Sequence, residues 1–240
     1  MAIKKKVTRK KRLKEPDEFL TLSARLFQFV VKYKYQMLAA LGGVILIVLA
    51  VSGWSYYSHQ RANKSLAQLQ KSWNRYETLR NAQDQDPGLA FQEVKVEFEQ
   101  LIADYGDKPG GKMARVIFAD ICLDAGEVDK AIALYKSALE EFKQPFYREQ
   151  ILNGLGYAYE AKKEYPTALE YFEKISVGSD PVLKAEALFN IGRLQAALGN
   201  AEKSQQAFRK IVADLPQSFY SELAKERSGN SAVEPSTSAN

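Results

Sequence analysis

The sequence contains one histidine and one cysteine, which leaves few reactive groups for catalysis or metal binding. A Cys/His pair would require His59 and Cys122 to meet, and a metal site would need three or four ligands of suitable type. No glycine-rich phosphate loop is expected, because the pattern predicts no strand for such a loop to follow. We therefore predict no catalytic residue, no metal, no cofactor and no small-molecule substrate, and we interpret Cys122 as a buried structural thiol.

Charged residues are missing from one long segment near the amino terminus. Residues 35–58 contain 24 residues without Asp, Glu, Lys or Arg, and a helix of about 20 apolar residues crosses a bilayer. Tyr33 and Tyr35 stand at its start and Trp54 near its end, as in the aromatic belts of membrane proteins. A cleaved signal peptide is the competing interpretation, because residues 50–52 resemble a cleavage site. We favour a retained transmembrane signal anchor.

Basic residues are concentrated before this segment. Residues 1–34 carry eleven Lys/Arg and three acids, whereas the rest of the chain carries slightly more acids than bases. The positive-inside rule therefore predicts a cytoplasmic amino terminus and places the large carboxyl-terminal part of the chain on the other side of the membrane. The densest basic run, residues 4–14, has no aromatic residue to stack on bases. We therefore interpret it as charge that sets the membrane orientation or binds the lipid surface, and we predict no nucleic-acid partner.

The segment between the basic run and the anchor has helical periodicity. Its apolar residues fall three and four positions apart, at Phe19, Leu22, Leu26, Phe29 and Val30. Such a helix would lie on the cytoplasmic leaflet or dock a partner protein, and the pattern fits both. Residues 1–34 are thus predicted to be a basic cytoplasmic arm with an amphipathic helix.

A repeat of about 36 residues fills the second half of the chain, in "ILNGLGYAYEAKKEYPTALEYFEKISVGSDP" and "AEALFNIGRLQAALGNAEKSQQAFRKIVADLP". Each copy has a glycine, then a small residue twelve positions later, then Phe, Ile and Pro; these are Gly156, Ala168, Phe172, Ile175 and Pro181, and Gly192, Ser204, Phe208, Ile211 and Pro216. A third copy, "GKMARVIFADICLDAGEVDKAIALYKSALEEF", has Ala119 in place of the glycine and Ala131, Tyr135 and Ala138 in the second helix. These marks resemble the tetratricopeptide repeat. In this interpretation glycine lies where two antiparallel helices touch, the aromatic ring fills the adjacent hole, and proline ends the second helix.

The fold class we predict is all-α, with the anchor followed by a tetratricopeptide-type solenoid of about 3.5–4 helical hairpins over residues 59–227. Full repeats are predicted at about 112–145, 149–182 and 185–218, with a degenerate hairpin from about 57–83 and 91–109 before them. A capping helix over 219–227 would cover the open apolar edge, and residues 228–240 are expected to be disordered. We also expect the helix of the anchor to continue directly into the first hairpin.

Repeats of this kind bind partners with the concave face formed by their first helices. In the predicted register, this protein-binding groove contains Met113, Val116, Leu123, Asn153, Tyr157, Phe189 and Arg193. Tyr157, Phe189 and Arg193 are residue types common at interaction hot spots, although an ordinary repeat surface explains them equally well. The first three side chains indicate an apolar ligand segment.

The whole-chain plan resembles the bacterial family that contains the ancillary SecYEG translocon subunit and the cell-division coordinator with tetratricopeptide-like repeats. That resemblance implies a non-enzymatic adaptor of the inner membrane with a periplasmic repeat domain. Its partners would be proteins or peptide segments, including translocon subunits, exported chains and periplasmic chaperones. The alternative is a scaffold that coordinates envelope or cell-division complexes.

Overall fold

The computed structural model describes residues 18–82, 86–178 and 180–229, with side chains from residue 24 onward. These residues form helices and turns without a strand, so the predicted all-α class is confirmed. The helices are α1 (Glu18–Asn81), α2 (Pro87–Tyr105), α3 (Pro109–Asp124), α4 (Val128–Glu141), α5 (Pro145–Ala161), α6 (Tyr165–Ser176), α7 (Pro181–Ala197), α8 (Ala201–Asp214) and α9 (Tyr220–Gly229). The basic run at 4–14 and residues 230–240 of the predicted tail lie outside the described residues.

The chain divides into two compact units, Met1–His59 and Gln60–Asn240. In the first unit, α1 has non-helical dihedral angles at Tyr33 (φ −108°, ψ 15°), and the helix then runs through the predicted anchor. The most apolar 18-residue stretch of α1 has no residue buried in the protein, and Leu46 and Leu49 are more than 60% exposed. Apolar side chains without protein neighbours are more stable in lipid than in water. This part of α1 is compatible with a single-pass membrane anchor.

The second unit is a stack of helical hairpins that share one apolar core. Residues 60–81 of α1 pack against α2: Leu69 and Tyr76 belong to the same buried cluster as Phe91 and Phe98, and Arg75 forms an ion pair with Glu93 on α2 at 3.1 Å. The hairpins α3/α4, α5/α6 and α7/α8 follow, and α9 covers the last of them. The predicted solenoid is therefore confirmed, and its first hairpin is formed by the end of α1 together with α2.

The hairpins α5/α6 and α7/α8 each contain a close contact between a glycine and an aromatic ring. A Cβ atom on Gly156 would lie 2.6 Å from Cε1 of Phe172, and one on Gly192 would lie 2.6 Å from Cε1 of Phe208. Both rings are buried. The glycines thus let the two helices of a hairpin approach one another, as the repeat pattern predicts.

The role assigned to one proline was wrong. Pro181 does not end α6, which stops at Ser176; it occupies the first turn of α7. Asp180 caps that helix by accepting hydrogen bonds from the N–H groups of Val182 (2.8 Å) and Leu183 (3.1 Å). Proline suits the first turn because its missing N–H would have no intrahelical partner there. Pro109 and Pro145 begin α3 and α5 in the same way, a few residues before the predicted repeat boundaries.

The turns inside the hairpins α3/α4, α5/α6 and α7/α8 share one backbone conformation. Gly126 (φ 80°), Lys163 (φ 63°) and Gly199 (φ 78°) occupy equivalent positions after α3, α5 and α7. Each is followed by a residue whose N–H donates back to the preceding helix, as in the 2.9 Å bond from Glu164 to the carbonyl of Tyr159. Lys163 is the one non-glycine residue with positive φ in the described part of the chain.

Candidate protein-binding groove

The first helices of the repeats form the inner layer of the solenoid. Within the described residues, α3 contacts α5 and α5 contacts α7, whereas the second helices α4, α6 and α8 make no such contacts with one another. Closer spacing on the side of the first helices makes that side concave. An open groove of about 580 Å³ lies there between α3 and α5. It is lined by Asp120, Leu123, Asp124, Tyr135, Gln150, Asn153, Gly154, Tyr157 and Ala161.

The three apolar residues predicted for the groove do not come together. Leu123 lines the groove, but its neighbours on α3 there are the carboxylates Asp120 and Asp124. Met113, 38% exposed, lines a separate cavity of about 290 Å³ with Tyr147. Val116 is half-buried and packs against the core. The groove between α3 and α5 therefore combines polar side chains with apolar surface, and it lacks the continuous apolar lining that these residues indicated.

Asn153 and Tyr157 belong to a hydrogen-bonded network that joins α5 to α7. Asn153 Nδ2 (3.1 Å) and the Tyr157 hydroxyl (2.6 Å) both donate to Glu186 Oε1. Asn190 Nδ2 in turn donates to the Tyr157 oxygen at 2.9 Å. Burial, followed by the hydrogen bond to Glu186, raises the pKa of Tyr157 well above its usual range, so the hydroxyl remains a donor at physiological pH.

Arg193 extends the network through a two-pronged ion pair. Its guanidinium donates to both oxygens of Glu160, with Nη2 at 2.6 Å from Oε2, and Nη2 also lies 3.1 Å from Asn190 Oδ1. These hydrogen bonds raise the pKa of Arg193. Because Arg193 is engaged within the repeat domain, it has limited capacity left to recognise a partner.

Phe189 faces the capping helix. Its ring centroid lies 5.5 Å from that of Phe208 and 5.1 Å from that of Tyr220, and the Arg227 guanidinium lies 5.8 Å from it. Tyr220 and Arg227 both belong to α9. The predicted hot spot is thus partly covered from within the chain.

Sequence reasoning placed Tyr135 in the second helix of its repeat but missed Asp120, which meets the Tyr135 hydroxyl on the floor of the groove. The Tyr135 ring lies over Gly154, where a Cβ atom would stand 2.4 Å from its Cζ, and its hydroxyl donates to Asp120 Oδ1. Desolvation raises the pKa of Asp120 to about 6; the Tyr135 hydrogen bond opposes this and the charge of Asp124 adds to it. The i, i+4 spacing of Asp120 and Asp124 on α3 was the available signal.

The cysteine occupies the position expected for it. Cys122 is 0% exposed, and burial raises the pKa of its thiol to about 12. A thiol with such a pKa is not a nucleophile at neutral pH. Among the residues that the structure describes, no group of three or more His, Cys, Asp or Glu side chains could hold a metal ion.

Comparison with known proteins supports the fold. A search of curated proteins gives no match. Among solved structures, a tetratricopeptide repeat protein from Parabacteroides merdae is 20% identical, with a TM-score of 0.54; the alignment covers 70% of this chain and 61% of that one. PilF of Pseudomonas aeruginosa is 16% identical, with 72% and 99% of the two chains covered and a TM-score of 0.36.

The third structure is BtubC from P. vanneervenii, which is 14% identical, with 73% and 96% of the chains covered and a TM-score of 0.29. Only the first of these three likenesses is strong enough to support the fold, and none of them bears on function. The sequence of residues 33–225 matches the tetratricopeptide repeat-like domain family. That match spans most of the chain, and the chain therefore belongs to the tetratricopeptide repeat-like domain family.

Proposed function

We propose that this protein is a non-catalytic adaptor, anchored in a membrane by α1, whose repeat domain binds protein segments in the groove between α3 and α5. The observation that carries the proposal is the groove itself. It is open, about 580 Å³ in volume, and lined by first helices, which tetratricopeptide-type repeats generally use to contact proteins. The predicted anchor in α1, whose most apolar 18-residue stretch has no residue buried in the protein, supports membrane attachment.

The proposed location is the bacterial inner membrane, with the repeat domain in the periplasm. Its support is the excess of basic residues in 1–34 and the resemblance of the whole-chain plan to the ancillary translocon subunit. In that location the adaptor would assist protein translocation or periplasmic chaperones. A reporter fused after residue 229, active only in the periplasm, tests the topology; cytoplasmic activity would refute it.

Site-specific photo-crosslinking in intact membranes tests the binding function. A photoreactive amino acid replaces Gln150, which lines the groove and is exposed, and in a matched control it replaces Glu170, which is exposed on the second helix α6. We expect protein adducts from position 150 and far fewer from position 170. Adducts to channel subunits or exported chains favour the translocation role, and adducts to cell-wall or division proteins favour the scaffold. Equal labelling from both positions would contradict binding in the groove.

A further inference from the structure

The connections between the helices of the repeat domain lie on two opposite edges. Neighbouring helices joined by short connections run antiparallel, so the turns inside the hairpins, such as 125–127 and 198–200, share one edge, which we call the turn edge. The segments that join one hairpin to the next, from α2 to α3, α4 to α5, α6 to α7 and α8 to α9, share the other, which we call the connector edge.

The connector edge exposes large apolar side chains. Val177 and Phe219 are each 81% exposed, and Phe146, Tyr147 and Val182 are exposed as well. The rings of Phe146 and Tyr147 meet edge-to-face with centroids 5.5 Å apart. Val182 and Phe219 line one cavity of about 430 Å³ between α7 and the segment that precedes α9. Four of these five side chains therefore belong to two apolar clusters.

The turn edge has a different surface. Among the residues that the structure describes, its exposed large apolar side chains are Leu89 at the start of α2 and Leu198 (40% exposed) at the end of α7, in the first and last hairpins. Single exposed apolar residues are normal in soluble proteins, whereas a cluster of them marks a surface that contacts a membrane or another protein. The connector edge is therefore the candidate interaction surface.

The chain enters the repeat domain at the connector edge. The N–H of Gly110, at the start of α3, donates to Ser65 Oγ at 3.1 Å, and Arg61 Nη2 donates to the carbonyl oxygen of Asp104, in the last turn of α2, at 2.5 Å. Arg61 lies three residues after Ser58, the last residue of the proposed anchor, and three residues span at most about 11 Å. The headgroup layer of a bilayer is about 5–8 Å thick. In a chain anchored in this way, the connector edge begins beside the lipid headgroups.

Basic residues recur on the connector edge with the period of the repeat. Lys112, Arg148 and Lys184 are each the fourth residue of a first helix. The helix dipole opposes a cation in the first turn, so helix stability does not account for this pattern. Arg148 has a local role, because it donates to the carbonyl oxygens of Leu139 (2.8 Å) and Phe142 (3.2 Å). Cations beside exposed apolar side chains are typical of surfaces that bind anionic lipid.

The charge balance also distinguishes the two edges. The connecting segments before α3, α5 and α7, together with the first four residues of these helices, contain five Lys/Arg and two acids, Asp107 and Asp180. The turns before α4, α6 and α8, with the first four residues of those helices, contain four Lys/Arg and four acids. An anionic surface therefore attracts the connector edge more strongly than the turn edge.

We propose that the connector edge of the repeat domain binds the surface of an anionic lipid bilayer, with Phe146, Val182 and Phe219 among the headgroups. These apolar side chains leave water there, and the neighbouring lysines gain from the negative surface potential. The inference rests on the proposed membrane anchor and adds a second attachment, which holds the repeat domain against the bilayer. A second copy of the chain on the same edge is the alternative that the experiment separates.

Fluorescence quenching by nitroxide-labelled lipids tests the inference on the full chain in vesicles of phosphatidylethanolamine and phosphatidylglycerol. A nitroxide on the lipid headgroup quenches only fluorophores that lie close to the membrane surface. The fluorophore NBD is attached to Phe219→Cys or Phe146→Cys, and Leu198→Cys on the turn edge is the matched control. The native Cys122 is buried and stays unlabelled.

We expect the headgroup nitroxide to lower the NBD emission about twofold at positions 146 and 219 and to leave position 198 nearly unchanged. All three replaced side chains are exposed, so circular dichroism spectra of the variants should match that of the unmodified protein. Vesicles of phosphatidylcholine alone should give weaker quenching, because they offer the basic residues no anionic surface.

Three results would overturn the inference. The first is equal quenching at positions 198 and 219, and the second is the absence of quenching at both 146 and 219. The third is a blue-shifted NBD emission at position 219 without nitroxide quenching, which would show that a second copy of the chain covers the edge. Equal quenching in phosphatidylcholine vesicles would refute the part assigned to the basic residues.

A further variant, Val48→Cys, makes this inference and the proposed anchor fail separately. Val48 lies near the middle of residues 35–58, so NBD at this position should be quenched by a nitroxide on the lipid acyl chain. Quenching at position 48 without quenching at 146 and 219 would leave the anchor standing and refute the lipid-binding edge. An absence of quenching at all three positions would refute both.

Discussion

Replacing Gly156 with alanine tests whether the close approach of α5 and α6 holds the repeat together. The new Cβ atom would stand 2.6 Å from both Cε1 and Cζ of Phe172 and 3.0 Å from Cδ1, well inside van der Waals contact. The ring is 0% exposed and packs edge-on against Tyr157, so it must shift into packed neighbours. Overpacking of this kind costs up to about 3 kcal/mol, and the better helix propensity of alanine returns about 1 kcal/mol. We expect the free energy of unfolding to fall by about 2 kcal/mol.

Urea unfolding of the full chain, followed by the far-ultraviolet circular dichroism of the repeat domain, measures this change. The matched experiment is Gly192→Ala, where the contact with Phe208 has nearly the same geometry and should cost about the same. The smaller side chain of Phe172→Leu should partly rescue Gly156→Ala. The loss of stability in the double variant should therefore be smaller than the sum of the losses in the two single variants. Unfolding of Gly156→Ala at the same or a higher urea concentration than the unmodified protein would refute the steric argument.

Three further predictions follow from the turn, the acidic groove and the cysteine. Lys163→Gly should raise the free energy of unfolding by about 1 kcal/mol, because lysine is strained at φ 63°. Gly199→Ala, at φ 78°, should lower it by about the same amount. Urea unfolding that gives the opposite order of stability would contradict the strain. The pKa of Asp120 is raised from 3.8 to about 6, so its stabilising contribution is complete below pH 3.8 and is lost as the pH rises through about 6; Asp120→Asn should flatten that part of a urea-midpoint profile, and parallel profiles would show that another group is responsible. Cys122 should react with a thiol reagent only when the domain unfolds, which mass spectrometry across a urea series detects, and rapid labelling of the native protein would disprove its burial.

The fold was predictable because its determinants lie within one repeat. The spacing of Gly156 and Phe172 describes a contact inside a single hairpin, and the structure has that contact. The mistake at Pro181 has a local cause as well, since proline suits a helix start as readily as the region after a helix end, and spacing alone does not separate the two.

The groove was harder to predict because its chemistry depends on contacts between repeats. Arg193 with Glu160, Asn190 with Tyr157, and Glu186 with Asn153 are each separated by 33 residues, a few positions less than the repeat length. Periodicity shows which face of a helix a side chain occupies, but it does not show whether the neighbouring helix supplies a hydrogen-bond or ion-pair partner for that side chain. Phe189 illustrates the same limit, since the ring that covers it comes from α9.

Because α9 covers only the end of the repeat domain, the free energy of local unfolding should differ along the domain. Leu188, Phe208, Ile211 and Ala224 form a small cluster of their own, apart from the main core. Releasing α9 would expose only this cluster, while the four-hairpin core upstream keeps its buried surface. We therefore expect α9 to be the first part of the domain to detach, so its amide protons should exchange with solvent before those of the repeats. A pulling force on the carboxyl-terminal end should likewise unfold α9 before it deforms the groove.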